Sequence, residues 1–165
     1  MQGQEVTITD MMYCRDRRVQ IQNEFIEKYQ NPVISFCMNI PGPIKNTPLI
    51  RKGFGSGKEA LLASLEKENL VILESRIFDD ITGPEMLLCV SASAEKIKDL
   101  TTQIEENHPY GRLFDMDVIG TDGQKLSRPS YRKCLICDCQ AQECARSRKH
   151  TIAEMQDKIE EILSR

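Results

Sequence analysis

No stretch of this sequence approaches the roughly 20 consecutive apolar residues that a bilayer-spanning helix needs. Its first residues, MQGQEVTITD, lack the basic start and apolar run of a secretory signal. Neither sign of charge dominates: at net −3 the chain exerts no global pull on nucleic acid or membrane lipid. Internal repeats, low-complexity tracts and a Gly-x-Gly-x-x-Gly dinucleotide fingerprint are missing. The seven cysteines are an odd number, which fits free thiols in a reducing cytosol better than a disulfide framework. These absences lead to the expectation of a soluble, cytoplasmic protein with no nucleic-acid and no membrane partner.

What is present is ordinary globular texture, with 40% hydrophobic and 28% charged residues. A chain of 165 residues can bury a core without staples. One domain over 1–165 is expected, with 128–165 as a Cys-rich helical appendage packed on it. Basic residues cluster at Arg15, Arg17 and Arg18 and again at Arg146, Arg148 and Lys149. Such patches can meet phosphates or an acidic partner, although clusters of this size are commonly solvated surface.

Taken in order, residues 7 to 30 have the pattern of a helix capped at Thr9 or Asp10. Its stripe is Ile21, Phe25 and Tyr29, with Val19 and Ile26 beside it. Val33 to Ile40 has the composition of a buried strand. Pro41 to Pro48 holds three prolines and a glycine, a stiff loop suited to presenting Lys45 and Asn46 as binding groups. Arg51 to Lys58 resembles a phosphate loop but fails its spacing, because Gly53 and Gly57 are one residue too close and Glu59 replaces the metal-binding hydroxyl. A capping box from Ser56 to Glu59 is the preferred account, opening a helix with Leu61, Leu62 and Leu65. Strands over 70–78 and 85–91 make an antiparallel hairpin, and Ser93 caps a helix with Ile97, Leu100 and Ile104 inward. A last helix starts at the Thr151–Glu154 capping box and buries Ile152, Met155, Ile159 and Ile162. The sum is an α+β fold, a mixed and mainly antiparallel sheet of about four to five strands with flanking helices.

The chemistry concentrates between His108 and Ile119, HPYGRLFDMDVI. On a strand, side chains alternate faces, so Phe114, Met116 and Val118 share the core side while Asp115 and Asp117 share the other. Their Cα atoms then lie roughly 6.5 to 7 Å apart. Aspartate is depleted in strands, so two at mid-strand ask for a reason. A magnesium ion holding a phosphate chain is one, since hard cations take carboxylate oxygens together with substrate phosphates. Arg112 adds a planar donor suited to phosphate oxygens. The alternative on spacing alone is an edge strand with solvated acids.

Cys134, Cys137, Cys139 and Cys144 crowd into eleven residues, followed by His150. Cys134, Cys137, Cys144 and His150 have the chemistry of zinc ligands, but not the spacing of a standard finger. The favoured account is free thiols packing beneath Arg146, Arg148 and His150, which bind substrate phosphates or an acidic protein.

Three separated motifs carry a family resemblance. SFCMNIPGPIKNTPLI, ENHPYGRLFDMDVIGTDGQKLSR and RKCLICDCQAQECARSRKH, in this order, resemble the citrate lyase holo-[acyl-carrier protein] synthases, the apo-citrate lyase phosphoribosyl-dephospho-CoA transferases. The likeness runs over nearly the whole chain. Tyr110 stands where a leucine is expected, and Cys139 is an addition to the pattern. The resemblance implies a nucleotidyltransferase reaction, and a nucleotidyltransferase-like fold. The donor is 2′-(5″-triphosphoribosyl)-3′-dephospho-CoA, the acceptor a serine of the acyl carrier (gamma) subunit of citrate lyase, and pyrophosphate leaves. In that chemistry Asp115 and Asp117 hold the metal and Arg112 screens charge. Lys45, Asn46, Arg128 and Arg132 bind the donor, and an aspartate or His108 takes the serine proton. The reading from another class is a non-catalytic, zinc-stabilised interaction module.

Overall fold

Thr7 starts the first helix, α1 (Ile8–Tyr29), through a reciprocal capping box. Its hydroxyl accepts the Asp10 N–H, and the Asp10 carboxylate accepts the Thr7 N–H at 2.8 Å. The cap thus falls ahead of Thr9 and Asp10, because Asp10 is the acid that closes the box. In the computed structural model, which describes residues 1–165, there follow β1 (Val33–Met38), α2 (Pro48–Lys67), β2 (Val71–Asp80) and β3 (Gly83–Ser91). Next come α3 (Ala94–Asn107), β4 (Phe114–Ile119), α4 (Ala141–Ser147) and α5 (Ile152–Leu163). The expected α+β architecture is present. Its four strands lie in the order β2-β3-β1-β4, with every pairing antiparallel.

β1 sits inside the sheet and sends alternate side chains to two cores. Ile34 and Phe36 join Met86, Leu88, Phe114 and Met116 under α2 and α3. Val33 joins Leu87, Cys89 and Ile119 under Ile21, Phe25 and Ile26 of α1. The molecule is therefore three-layered, with α1 on one face of the sheet and α2 with α3 on the other. Of the two residues expected beside the stripe, Ile26 is buried but Val19 is 52% exposed, so the buried face of α1 is narrower on that side.

The largest correction concerns α2. It begins at Pro48 behind the N-cap Thr47, whose hydroxyl accepts the Ile50 N–H at 3.2 Å. Residues 51–57 are helical, and the Ser56–Glu59 pair lies inside the helix rather than opening it. Close packing overrides the low helix propensity of glycine here. A β-carbon on Gly57 would stand 2.6 Å from Phe36 Cζ and 2.7 Å from Phe114 Cζ, and one on Gly53 would stand 2.5 Å from Leu163 Cδ2. The β2–β3 hairpin forms as expected, with Gly83 at φ +105° just after its tight turn.

At the C-terminal end the Thr151–Glu154 capping box opens α5 as expected. Ile159, Ile162 and Leu163 pack against Ile40, Ile50 and Leu113. Ile152, placed in that stripe by its spacing, is 51% exposed. No helix is long and apolar enough to cross a membrane.

Candidate active site

β4 is an edge strand, and its pleat turns Asp115 and Asp117 away from the buried Phe114, Met116 and Val118. Both acids are half-buried. α1 packs over β1 and β3, and beside Asp115 the same face holds a cleft of about 180 Å³. Arg15 and Arg18 of α1, Cys37 of β1, Lys45 of the proline-rich loop and Glu85 of β3 line it together with Asp115. Two of these, Asp115 and Lys45, are among the residues the sequence singles out. Arg15 and Arg18 belong to the basic cluster the sequence shows but not to its expected site residues, and Glu85 is unannounced, because nothing local ties the basic run of α1 to an acid on β3.

Burial pushes the Asp115 carboxyl up, and neighbouring Asp117 pushes it further, against the pull of Lys125, Arg132 and Arg18. Asp115 makes no ion pair, and the Cys37 thiol stands 4.0 Å from its Oδ2. Asp117 pairs with Lys125 at 3.0 Å. Two same-face carboxylates, one desolvated and without a cation, fit a hard divalent ion. Glu85 is 2% exposed and accepts Arg17 Nη2 at 2.7 Å and Arg18 Nε at 2.9 Å. It thereby fixes the α1 arginines at the cleft.

In the proline-rich loop the Lys45 ammonium donates to the Ile40 carbonyl, and burial and Arg15 push its pKa down. Asn46 donates to the Asp79 carboxylate and the Asp80 carbonyl, each at 2.7 Å, and ties the loop to the β2–β3 turn.

His108 lies across β4 from the acids. Its Nδ1 accepts the Tyr110 N–H at 3.0 Å, Nε2 stands 3.1 Å from Ser56 Oγ, and its ring centroid is 4.8 Å from that of Phe114. Burial pushes its pKa down, which favours the neutral ring. Arg128 is engaged by Glu105 and Glu106, and Arg132 donates to the carbonyls of Phe114 at 2.7 Å and Gly111 at 2.8 Å. Arg112 donates to the Lys133 carbonyl while its Nε is buried without a partner. It lines a second cavity, of about 740 Å³, with Leu113, Leu135, Arg148, His150 and Met155. Arg146 is exposed on α4. Asn39 lines both this cavity and the cleft at Asp115. The structure thus divides the expected site residues between two neighbouring hollows and a structural set.

The cysteine segment converges on a point. Cys134, Cys137, Cys144 and His150 each offer one ligand atom, and these four atoms lie within 4.8 Å of one another, a group able to hold a metal ion. All seven cysteines are free. Of the four in this segment, Cys144 alone is buried, so the picture of thiols packed beneath a basic surface does not describe them. Burial opposes ionisation of Cys134, but the N–H groups of Cys137 and Ile136 outweigh it and bring the thiol to about 7.

The family described as apo-citrate lyase phosphoribosyl-dephospho-CoA transferase matches residues 6–165. The chain is 35% identical over 163 residues to the apo-citrate lyase phosphoribosyl-dephospho-CoA transferase of Escherichia coli O7:K1 (strain IAI39 / ExPEC). That alignment covers 96% of this chain and 89% of that protein. It is likewise 35% identical over 162 residues to the protein of that name from Citrobacter koseri, covering 96% and 88%. With the one from Shigella boydii serotype 18 the identity is 34% over 163 residues, covering 96% and 89%.

Proposed function

The chain belongs to the apo-citrate lyase phosphoribosyl-dephospho-CoA transferase family, and from that premise we propose that it attaches the prosthetic group of citrate lyase to the acyl carrier (gamma) subunit of that enzyme. A serine oxygen of the carrier attacks the α-phosphorus of 2′-(5″-triphosphoribosyl)-3′-dephospho-CoA. The bond to the β-phosphate breaks, a phosphodiester forms, pyrophosphate leaves and the serine proton passes to a base. The observation that carries this reading is the position of Asp115. It stands on the wall of a cleft lined by Arg15, Arg18 and Lys45, with Asp117 on the same face.

Displacement of pyrophosphate is mostly positioning and charge neutralisation. Asp115 and Asp117 are the residues that would hold a magnesium ion, which when bound neutralises triphosphate charge and polarises the phosphorus. Arg15, free of any carboxylate partner, and Lys45 supply cationic donors to the phosphate oxygens. Arg18 is oriented by Glu85 and contributes field rather than a free fork. His108 has both ring nitrogens engaged on the other side of β4, so it is not placed to take the serine proton. The larger cavity, mostly apolar with Arg112 and Arg148 on its rim, suits the pantetheine arm and its diphosphate, and Asn39 joins it to the cleft. We place the reaction in the cytoplasm, where seven free thiols persist.

The test is the mass of the carrier. Apo carrier incubated with the protein, donor and Mg²⁺ should gain the donor mass less pyrophosphate. Asp115→Asn and Asp117→Asn should each abolish the gain while circular dichroism stays unchanged. No gain with the unaltered protein would overturn the reading.

A further inference from the structure

We propose that Cys134, Cys137, Cys144 and His150 form a structural zinc site that takes no part in the chemical step of the transfer. Zinc takes thiolate sulfur at roughly 2.3 Å and imidazole nitrogen at roughly 2.0–2.1 Å in a tetrahedron, which sets edges of about 3.8 Å between sulfurs and about 3.5 Å from nitrogen to sulfur. Cys137 Sγ and Cys144 Sγ are 3.5 Å apart, and His150 Nε2 is 3.3 Å from Cys137 Sγ. The remaining pairs close within 4.8 Å.

The backbone around the group has the form of a knuckle. Lys133 and Gln140 make an antiparallel bridge. The Cys134 N–H donates to the Cys139 carbonyl at 2.7 Å, and the Ile136 N–H points at Cys134 Sγ from 3.5 Å. Cys144 comes from the middle of α4, and His150 follows once Arg148, at φ 49°, has ended that helix. Cys139 is exposed and outside the group, its thiol 3.3 Å from the Lys149 ammonium.

A second observation, from packing, points to the same ligand. Between Lys133 and His150 the one buried residue is Cys144. An ordered segment of this length with so little apolar burial lacks the driving force to hold its shape, and metal binding is a staple that supplies it. Four protein ligands leave no open position for water, which makes the site structural rather than catalytic. Three thiolates and an imidazole suit zinc over magnesium or calcium. Cys134, Cys144 and His150 also line the larger cavity, so the ion holds one of its walls.

The experiment uses the untagged full-length chain purified under reducing conditions. Elemental analysis should find zinc in a ratio of about one per chain. Chelator-stripped protein refilled with Co²⁺ should show the intense d–d bands of a tetrahedral ion together with sulfur-to-cobalt charge transfer. Cys137→Ser and Cys144→Ser should lose the zinc, and Cys139→Ser should keep it. Should the serine variants fail to fold, the cobalt spectrum of the unaltered chain still decides. Trace zinc with no tetrahedral cobalt spectrum would overturn the proposal. So would full zinc retained in Cys137→Ser, or a Cys137–Cys144 disulfide found in metal-free, folded protein.

Discussion

Cys37 stands directly opposite Asp115 in the β1–β4 ladder, its thiol 4.0 Å from the carboxylate oxygen Oδ2. Burial pushes that thiol up to about 12, so it stays protonated and offers Asp115 only a weak donor. The acid is left desolvated and without a paired cation.

This position sets activity against stability. The folded-state pKa of Asp115 is raised, so the folded protein binds more protons than the unfolded chain between the ordinary carboxylate range and the raised value. Stability contributed by this residue is therefore lost as pH rises through that window. Asp115→Asn should raise the melting temperature at neutral pH, and the gain should shrink below the usual carboxylate range. Carrier modification by the same variant should fall by more than ~100-fold. Mg²⁺ should raise the melting temperature of the unaltered chain but not of the variant. A variant that melts lower at neutral pH would contradict this account.

Glu85 should be the acid the fold can least afford to lose. Glu85→Ala removes the acceptor of both Arg17 and Arg18 and leaves a void at a 2% exposed position. The expected cost is about 2–4 kcal/mol, under the range for a fully buried pair because both arginines keep some solvent. Urea denaturation measures it. Glu85→Gln, which keeps one acceptor, should recover part of the loss.

Two glycines of α2 should respond with opposite sign to the same change. Gly57→Ala drives a methyl group into Phe36 and Phe114, so it should cost about 1–3 kcal/mol. At Gly55 nothing lies within 4 Å of the added carbon, and Gly55→Ala should stabilise by about 0.5–1 kcal/mol through helix propensity. Paired thermal melts check both, and equal shifts would contradict the packing described for α2.

His108 should make stability pH-dependent without being required for chemistry. Its folded pKa is lowered by burial, so the unfolded chain takes up a proton that the folded chain refuses. Stability should fall as pH drops through the ordinary histidine range. His108→Gln should flatten that slope, and carrier modification by its folded fraction should remain. Loss of activity in a variant that is still folded would assign the imidazole a role at the reacting atoms.

The elements of this protein were legible in its sequence wherever the governing rule is local. The alternation of Phe114, Asp115, Met116 and Asp117 puts two acids on one face because a strand has period two. The Thr151–Glu154 box opens α5 because a cap needs only four residues. The same local logic misplaced the start of α2, since Ser56 and Glu59 satisfy the pattern while Gly53 and Gly57 answer to the distant rings and side chains they pack against.

What only the tertiary structure decided is which distant residues meet. Arg15, Arg18 and Lys45 reach the wall that holds Asp115 because the N-terminal turns of α1 lie beside the proline-rich loop. Cys144 and His150 reach Cys134 and Cys137 because α4 stops where the chain can turn back. Sequence patterns act over a turn or a pleat, whereas burial and Coulomb interactions act through space, and it is the fold that sets those separations.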